Sequence, residues 1–183
     1  MTTTGYDEKQ GIEIASNWDR ERGLTAEQAE AFRAEILDFI SDRDARMTYL
    51  MTRRKDGREI MRPVDAFVEN WVVQTMTQDV QPKTNHVRRD PIVGYLWVGR
   101  ESRPEPPSER WNPKAVWLQG RAELVTDQAE VDAFYTRREK ATGTGRMHPE
   151  GETLYLIRTT PEYVRAEGWA GIHGIVYRDF PTA

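Results

Sequence analysis

The sequence predicts a mainly β domain with added helices, in which six to seven antiparallel strands form a closed or partly closed barrel with short flanking helices. Three observations carry this. Short runs rich in β-branched and aromatic residues succeed one another, bounded by Gly, Pro, Asn and Asp turns. No crossover helices separate them as a parallel sheet would need; one short helix is inserted before the fourth strand. A hydrophobic content of 38 % against 31 % charged, over 183 residues, suits one soluble domain with a real core.

Residues 1–24 show no sustained period and read as an N-terminal arm, with Trp18 able to dock, leaving 25–183 as the domain. Thr25 and Gln28 form a capping-box pair, and Ala29, Phe32, Ile36, Leu37 and Ile40 share one stripe, so a helix runs to about Ser41–Asp44. Arg46–Arg54 reads as a strand, Lys55-Asp56-Gly57-Arg58 as a turn, and Glu59–Val68 as the return strand. Pro63 cannot donate to a ladder, so it marks an edge, a bulge or a ligand-facing rim. Glu69-Asn70 turns into Trp71–Thr75, which makes residues 46–75 a three-stranded meander.

Pro82 opens a short helix to Arg89, and Asp90-Pro91 breaks the chain before Ile92–Val98, a strand expected to be buried on both faces. Gly99–Pro113 is a long loop with four prolines, followed by the strand Ala115–Val125, where Gly120 implies a bulge or a close approach of backbones. Asp127 and Glu130 cap a helix to about Lys140, with Gly143 near its end. Thr153–Thr159 is the sixth strand, Tyr163–Trp169 extends the sheet, and the tail from Ala170 packs on the domain.

Several function classes drop out. The chain has no Cys, hence no disulfide, thiol chemistry or thiolate metal site. A net charge of −4, from 26 basic and 30 acidic residues, argues against a nucleic-acid partner and reads the cluster His86, Arg88, Arg89 as a solvated helix face with a dimer contact. No run approaches the roughly 18 apolar residues of a membrane span, no signal peptide opens the chain, and cytoplasm is the expected compartment. The three histidines lack metal-ligand spacing, so no metal is expected, and neither a nucleophile elbow nor a P-loop is present.

The stretch Trp71–Pro91 is the candidate site. The free N–H groups at the Pro82 helix start, Lys83, and the hydroxyls of Thr75, Thr77 and Thr84 read together as a cradle for an anion such as a cofactor phosphate. Arg62, in an otherwise apolar strand, is expected to be paired or ligand-facing. Trp97 and Trp117 are expected in the core, while Trp169, between Gly168 and Gly171, is the better candidate for stacking on a flat ligand.

From about residue 45 to 141 the chain resembles the pyridoxamine 5′-phosphate oxidase-like FMN-binding split-barrel family. The matching pieces, in order, are Asp56-Gly57, Arg62-Pro63-Val64, Gln74-Thr75, Lys83 to Asn85, Arg88-Arg89-Asp90-Pro91, Gln119-Gly120-Arg121-Ala122-Glu123, and the helix with Phe134 and Arg137. The resemblance implies a homodimer with FMN in the groove between two barrels. It assigns Arg62, Pro63, Val64, Gln74, Thr75, Lys83 and Asn85 to the cofactor, the strand from Arg62 to Phe67 lining the flavin. Arg137 matches a substrate-phosphate arginine.

The departures are as informative. The Thr75–Lys83 connector is about two residues longer than in the oxidase, and Phe67, Ala115 and Ala133 stand where the oxidase has a substrate lysine, a flavin glutamine and a substrate tyrosine. The C-terminal Arg–His pair has no counterpart in Gly168–Phe180. The resemblance therefore implies a divergent member, not the true oxidase: a flavin-dependent oxidoreductase transferring hydride between FMN and a small organic substrate, with Phe67, Trp111, Arg137 and Trp169 shaping the substrate pocket. The rivals are a deazaflavin-dependent reductase, a non-enzymatic flavin- or haem-binding barrel, and an interaction module whose barrel only dimerises.

Overall fold

A computed structural model describes residues 5–7, 12–14, 25–42, 46–99, 113–143, 152–170 and 173–180. Its elements, in chain order, are β1 (Gly5–Asp7), β2 (Ile12–Ile14), α1 (Ala26–Ser41), β3 (Arg46–Arg53), β4 (Glu59–Pro63), β5 (Ala66–Glu69), β6 (Val72–Gln78), α2 (Pro82–Arg89), β7 (Ile92–Gly99), β8 (Ala115–Val125), α3 (Gln128–Thr142), β9 (Leu154–Ala170) and β10 (His173–Tyr177). Trp111 and most of the Gly99–Pro113 loop, the rest of the arm, and residues 144–151 lie outside the described residues.

All the strand pairs are antiparallel, in the order β4–β3–β7–β8–β9–β6–β5. Because β4 and β5 are successive pieces of one extended run, that order closes on itself as a barrel. The return strand expected over Glu59–Val68 is thus broken at Val64–Asp65: β4 pairs with β3, and β5 pairs with β6. The meander is in the predicted order, but its middle strand changes partner halfway. Val64 takes no part in either ladder, and its N–H donates to the Thr48 carbonyl at 3.0 Å.

The barrel is split along β9. Its first half pairs with β6 and its second half with β10, while β8 follows it from Leu156 to Glu167. The sixth strand therefore does not stop at Thr159 but runs through Pro161, which sits opposite Gly120 where the β8–β9 register shifts. A bulge leaves a ladder position without a required donor, so proline is tolerated there. β10 carries the edge on to β2 and β1.

Local signals decide the helices. The Thr25 side chain accepts from the Gln28 N–H at 3.2 Å, and Gln28 reaches back to the Thr25 N–H at 2.8 Å, closing the capping box of α1. Ala29, Ile36 and Ile40 are buried as the stripe predicts, and Phe39 joins them against Trp169. Gln81 caps α2 through backbone only, with Pro82 in its first turn. The Asp127 carboxylate accepts from the Glu130 N–H at 2.9 Å, and Gly143 closes α3 at φ +66°. A second apolar cluster lies between α3 and the outside of the barrel, where Val131, Phe134 and Tyr135 meet Leu154 and Leu156.

Two expectations about strands need correction. Trp71 is not in β6; it is the second residue of the β5–β6 turn, at φ +72° beside Asn70 at +46°. β7 is buried on its inner face only: Val93, Tyr95 and Trp97 point into the core, while Leu96 and Val98 are half-buried.

Gly94 and Gly120 are both crowded, with different consequences. A Cβ at Gly120 would lie 2.2 Å from the Thr160 carbonyl oxygen, a backbone atom held in the ladder. A Cβ at Gly94 would lie 2.2 Å from the Trp117 indole, a half-buried side chain on the outer face that is free to swing. Gly120→Ala is expected to lower stability by about 3 kcal/mol and Gly94→Ala by about 1–2 kcal/mol, since only the second obstruction can move. Denaturant midpoints of the two variants check the order.

Candidate functional site

Arg62 is opposite Leu50 in the β3–β4 ladder, and paired residues share a face, so its side chain heads for the barrel interior. There it meets α2, which packs on β3: Thr52 Oγ1 and His86 Nδ1 lie 2.9 Å apart. The first turn of the same helix carries Lys83. Two cations from separate elements are thus turned toward one another at the barrel mouth.

Neither is neutralised. Among the described residues no carboxylate pairs with Arg62 or Lys83, and Arg62 Nε is buried without a hydrogen-bond partner. Burial lowers the Arg62 guanidinium from its ordinary value. Burial first, and then the Arg62 charge, bring the Lys83 ammonium down to about 8. His86 is held below its usual value by burial, then by Arg62, Arg89 and Arg54. Uncompensated half-buried positive charge is costly, and the ordinary reason for it is an anion that arrives from outside.

A groove of about 710 Å³ runs beside this point, lined by Arg54, Val80, Pro82, Asn85, His86 and Arg89 with the Lys55-Asp56 turn. Not all of its cations are free: Arg54 lies 3.6 Å from Asp56, and Arg89 donates to the Arg53 carbonyl. Asn85 is exposed and accepts from Arg88 at 3.0 Å.

The other predicted residues are placed elsewhere. Strand alternation puts Thr75 and Gln74 on opposite faces of β6. Thr75 is buried, with its hydroxyl 3.0 Å from the Tyr95 hydroxyl. The Thr77 and Thr84 hydroxyls, 2.8 Å apart, bond each other, and Thr84 also donates to the Gln78 carbonyl. The Thr77–Thr84 pair joins α2 to the barrel and Thr75 ties β6 to β7 inside it, so all three hydroxyls are engaged within the protein and the cradle read from them is not the arrangement found. Gln74 Nε2 donates to Glu69 at 2.7 Å on the α3 side, its Oε1 buried without a partner. Pro63 is exposed in register with Tyr49, and Val64 packs on the core.

Phe67 meets Phe134 edge-on beneath α3, ring centroids 5.8 Å apart. Arg137 is half exposed and 3.8 Å from Glu69. Trp169 is buried, edge-on to Phe39 at 5.0 Å, with the Lys114 ammonium over its ring, so it does not front an open pocket. Trp97 is core as expected, whereas Trp117 lies on the outer face over Gly94.

Sequence reasoning missed His86 as a neighbour of Arg62, and it missed Arg138, the buried arginine next to the one chosen. The signal for Arg138 was present: Val131, Phe134, Tyr135 and Arg138 fall at i, i+3, i+4 and i+7, so the arginine sits on the apolar stripe. Among the described residues no group of three potential ligands is placed to hold a metal ion, and no helix is long and apolar enough to cross a membrane.

No protein-family profile and no curated protein matches the chain. Solved structures do. The pyridoxamine 5′-phosphate oxidase-related, FMN-binding protein from Nostoc punctiforme superposes with a TM-score of 0.58 at 15 % identity, over 85 % of this chain and 92 % of that one. A Clostridium acetobutylicum protein related to general stress protein 26, of the pyridoxinephosphate oxidase family, gives 0.58 at 12 % identity, over 81 % and 95 %. An F420 reductase gives 0.50 at 16 % identity, over 68 % and 91 %. The chain shares the split-barrel fold of these structures, and at 12–16 % identity the likeness is one of fold.

Proposed function

We propose that the protein binds FMN, with Arg62 and Lys83 holding its phosphate, and acts as an oxidoreductase on a small organic substrate. The observation that carries this is the Arg62–Lys83 pair, two converging cations with no described counter-charge and one orphaned guanidinium nitrogen. A phosphate dianion fits both: it accepts from the Arg62 guanidinium and returns the Lys83 ammonium toward its ordinary basicity. Bound flavin supplies hydride transfer, so the chain's own residues have to bind, orient and shield it. In this reading Arg62 and Lys83 fix one end of the cofactor. His86, whose charged form is disfavoured by burial and then by its cationic neighbours, leaves a hydrogen-bonding edge at the groove.

We also propose a homodimer with the cofactor at its interface. The outer face of β3, β4, β7 and β8 carries Tyr49, Met51, Leu96 and Trp117, with Met47 46 % and Met61 48 % exposed. The far edge of β4, the strand of Arg62, pairs with nothing among the described residues. An apolar patch flanking an open edge suits a second copy that would close the groove. A deazaflavin is the second reading. The positive groove beyond Lys83 extends further than one phosphate requires, and the connector before Lys83 is long.

The test is the spectrum and mass of what copurifies, followed by titration with FMN and with a deazaflavin. A yellow dimer, or an apoprotein that takes up FMN with micromolar affinity or better, is the expected result. A colourless protein that binds neither would overturn the proposal. Reoxidation of the reduced complex by an acceptor, compared with free flavin, separates an enzyme from a carrier.

A further inference from the structure

The buried arginine of α3 bears on the anion site without touching it. The run from Arg62 to Phe67 passes from one ladder to another, and only Val64 and Asp65 absorb the change of partner. Two residues between ladders have few soft dihedrals, so whatever grips them bears on the angle at which β4 is set against β5. Asp65 is gripped by α3: Arg138 donates to its carboxylate at 2.6 Å, across 73 positions of sequence. On the far side of the break, Phe67 is held against Phe134 of the same helix.

Arg138 occupies a position on the buried stripe of α3 that an apolar residue would fill at lower cost, since a guanidinium out of water needs a charged partner. We propose that Arg138 is a positioning residue for the anion site: by holding Asp65 it fixes the β4–β5 break and hence the approach of Arg62 to Lys83. Arg62 lies three residues before Asp65, about 10 Å along extended chain, close enough for a change of angle at the break to move its guanidinium by an ångström or more. The inference deepens the phosphate reading above and rests on it for its ligand.

The experiment uses the full chain and two readouts, of which one needs no cofactor. In Arg138→Met, NMR titration of the Lys83 side chain is expected to move upward from about 8, because Arg62 no longer faces it at the same distance. FMN affinity, measured well below the melting temperature, is expected to fall at least tenfold, and Arg138→Lys is expected to recover part of both. A folded Arg138→Met with wild-type Lys83 titration and wild-type affinity, changed only in melting temperature, would overturn the proposal. Should Arg138→Met not fold, Asp65→Asn puts the same question, with the same two outcomes. If the wild type takes no FMN, the functional reading fails by itself, while the Lys83 titration still decides the role of Arg138.

Discussion

Lys83→Met is expected to weaken FMN binding ten- to a hundredfold near pH 7 and, in the same protein without ligand, to raise the melting temperature by several degrees. The loss follows from removing a charge-assisted contact to phosphate, worth about 1.5–3 kcal/mol, with each 1.4 kcal/mol a factor of ten. The gain follows from what Lys83 costs the empty protein. Its ammonium, ordinarily near 10.5, is brought to about 8 by burial and by Arg62. Methionine keeps the stem's packing and removes the charge, which recovers about 2 kcal/mol once solvent screening is allowed for. A residue that only decorated the surface would change neither quantity.

The pH dependence has a definite sign. Below about pH 8 Lys83 is protonated both folded and unfolded, so the whole penalty is present. Between about 8 and 10.5 the folded protein releases the proton first, the unfolded chain binds more protons, and stability climbs with pH. Lys83→Met should lack that climb. Anion binding runs the other way: phosphate stabilises the ammonium, so wild-type affinity should decline above pH 8, by at most about tenfold per pH unit, and the variant's should not. Thermal melts and FMN titrations from pH 6.5 to 10 read both trends.

How much of this was legible in the sequence divides by the range of the interaction. The capping box of α1, the Asp127 cap and Gly143 end of α3, and the Asp56-Gly57 turn were readable because each closes within a few residues. The bulge at Gly120 was readable too, as a glycine with no other reason to sit in a strand. The break at Val64–Asp65 was not: nothing in Arg62–Phe67 states that its halves pair with different strands, a fact decided by β3 and β6. The site shows the same division. Arg62 was singled out as a cation in an apolar strand and Lys83 as a cation at a helix start, and the structure brings the two near each other. Thr75, Gln74 and Trp169 were chosen by position along the chain, and side-chain direction, which strand alternation and packing decide, turned them elsewhere.

Trp71 is the place where local preference and global packing disagree most. A two-residue hairpin turn with positive φ at both positions asks for Asn-Gly. This chain supplies Asn70 and then Trp71, at φ +72°, where an L side chain costs about 1–2 kcal/mol. The indole is 5 % exposed and lies against Tyr177 and Phe180, ring centroids 6.5 and 5.3 Å away, so the turn is strained to seat the residue that pins the C-terminal segment. Trp71→Ala loses the burial and keeps the strain; a fall of about 3–5 kcal/mol, or roughly 10 °C in melting temperature, is expected. Trp71→Gly loses the same burial but relieves the backbone, and should be the more stable of the two by about 1 kcal/mol. That reverses the usual order, in which glycine is the worse substitute in an ordered segment. The turn lies one β6 length, about 20 Å, from the connector that leads to Lys83, so FMN affinity should hold in both variants at temperatures where they are folded. An alanine variant more stable than the glycine one would mean that the positive φ is not retained in solution.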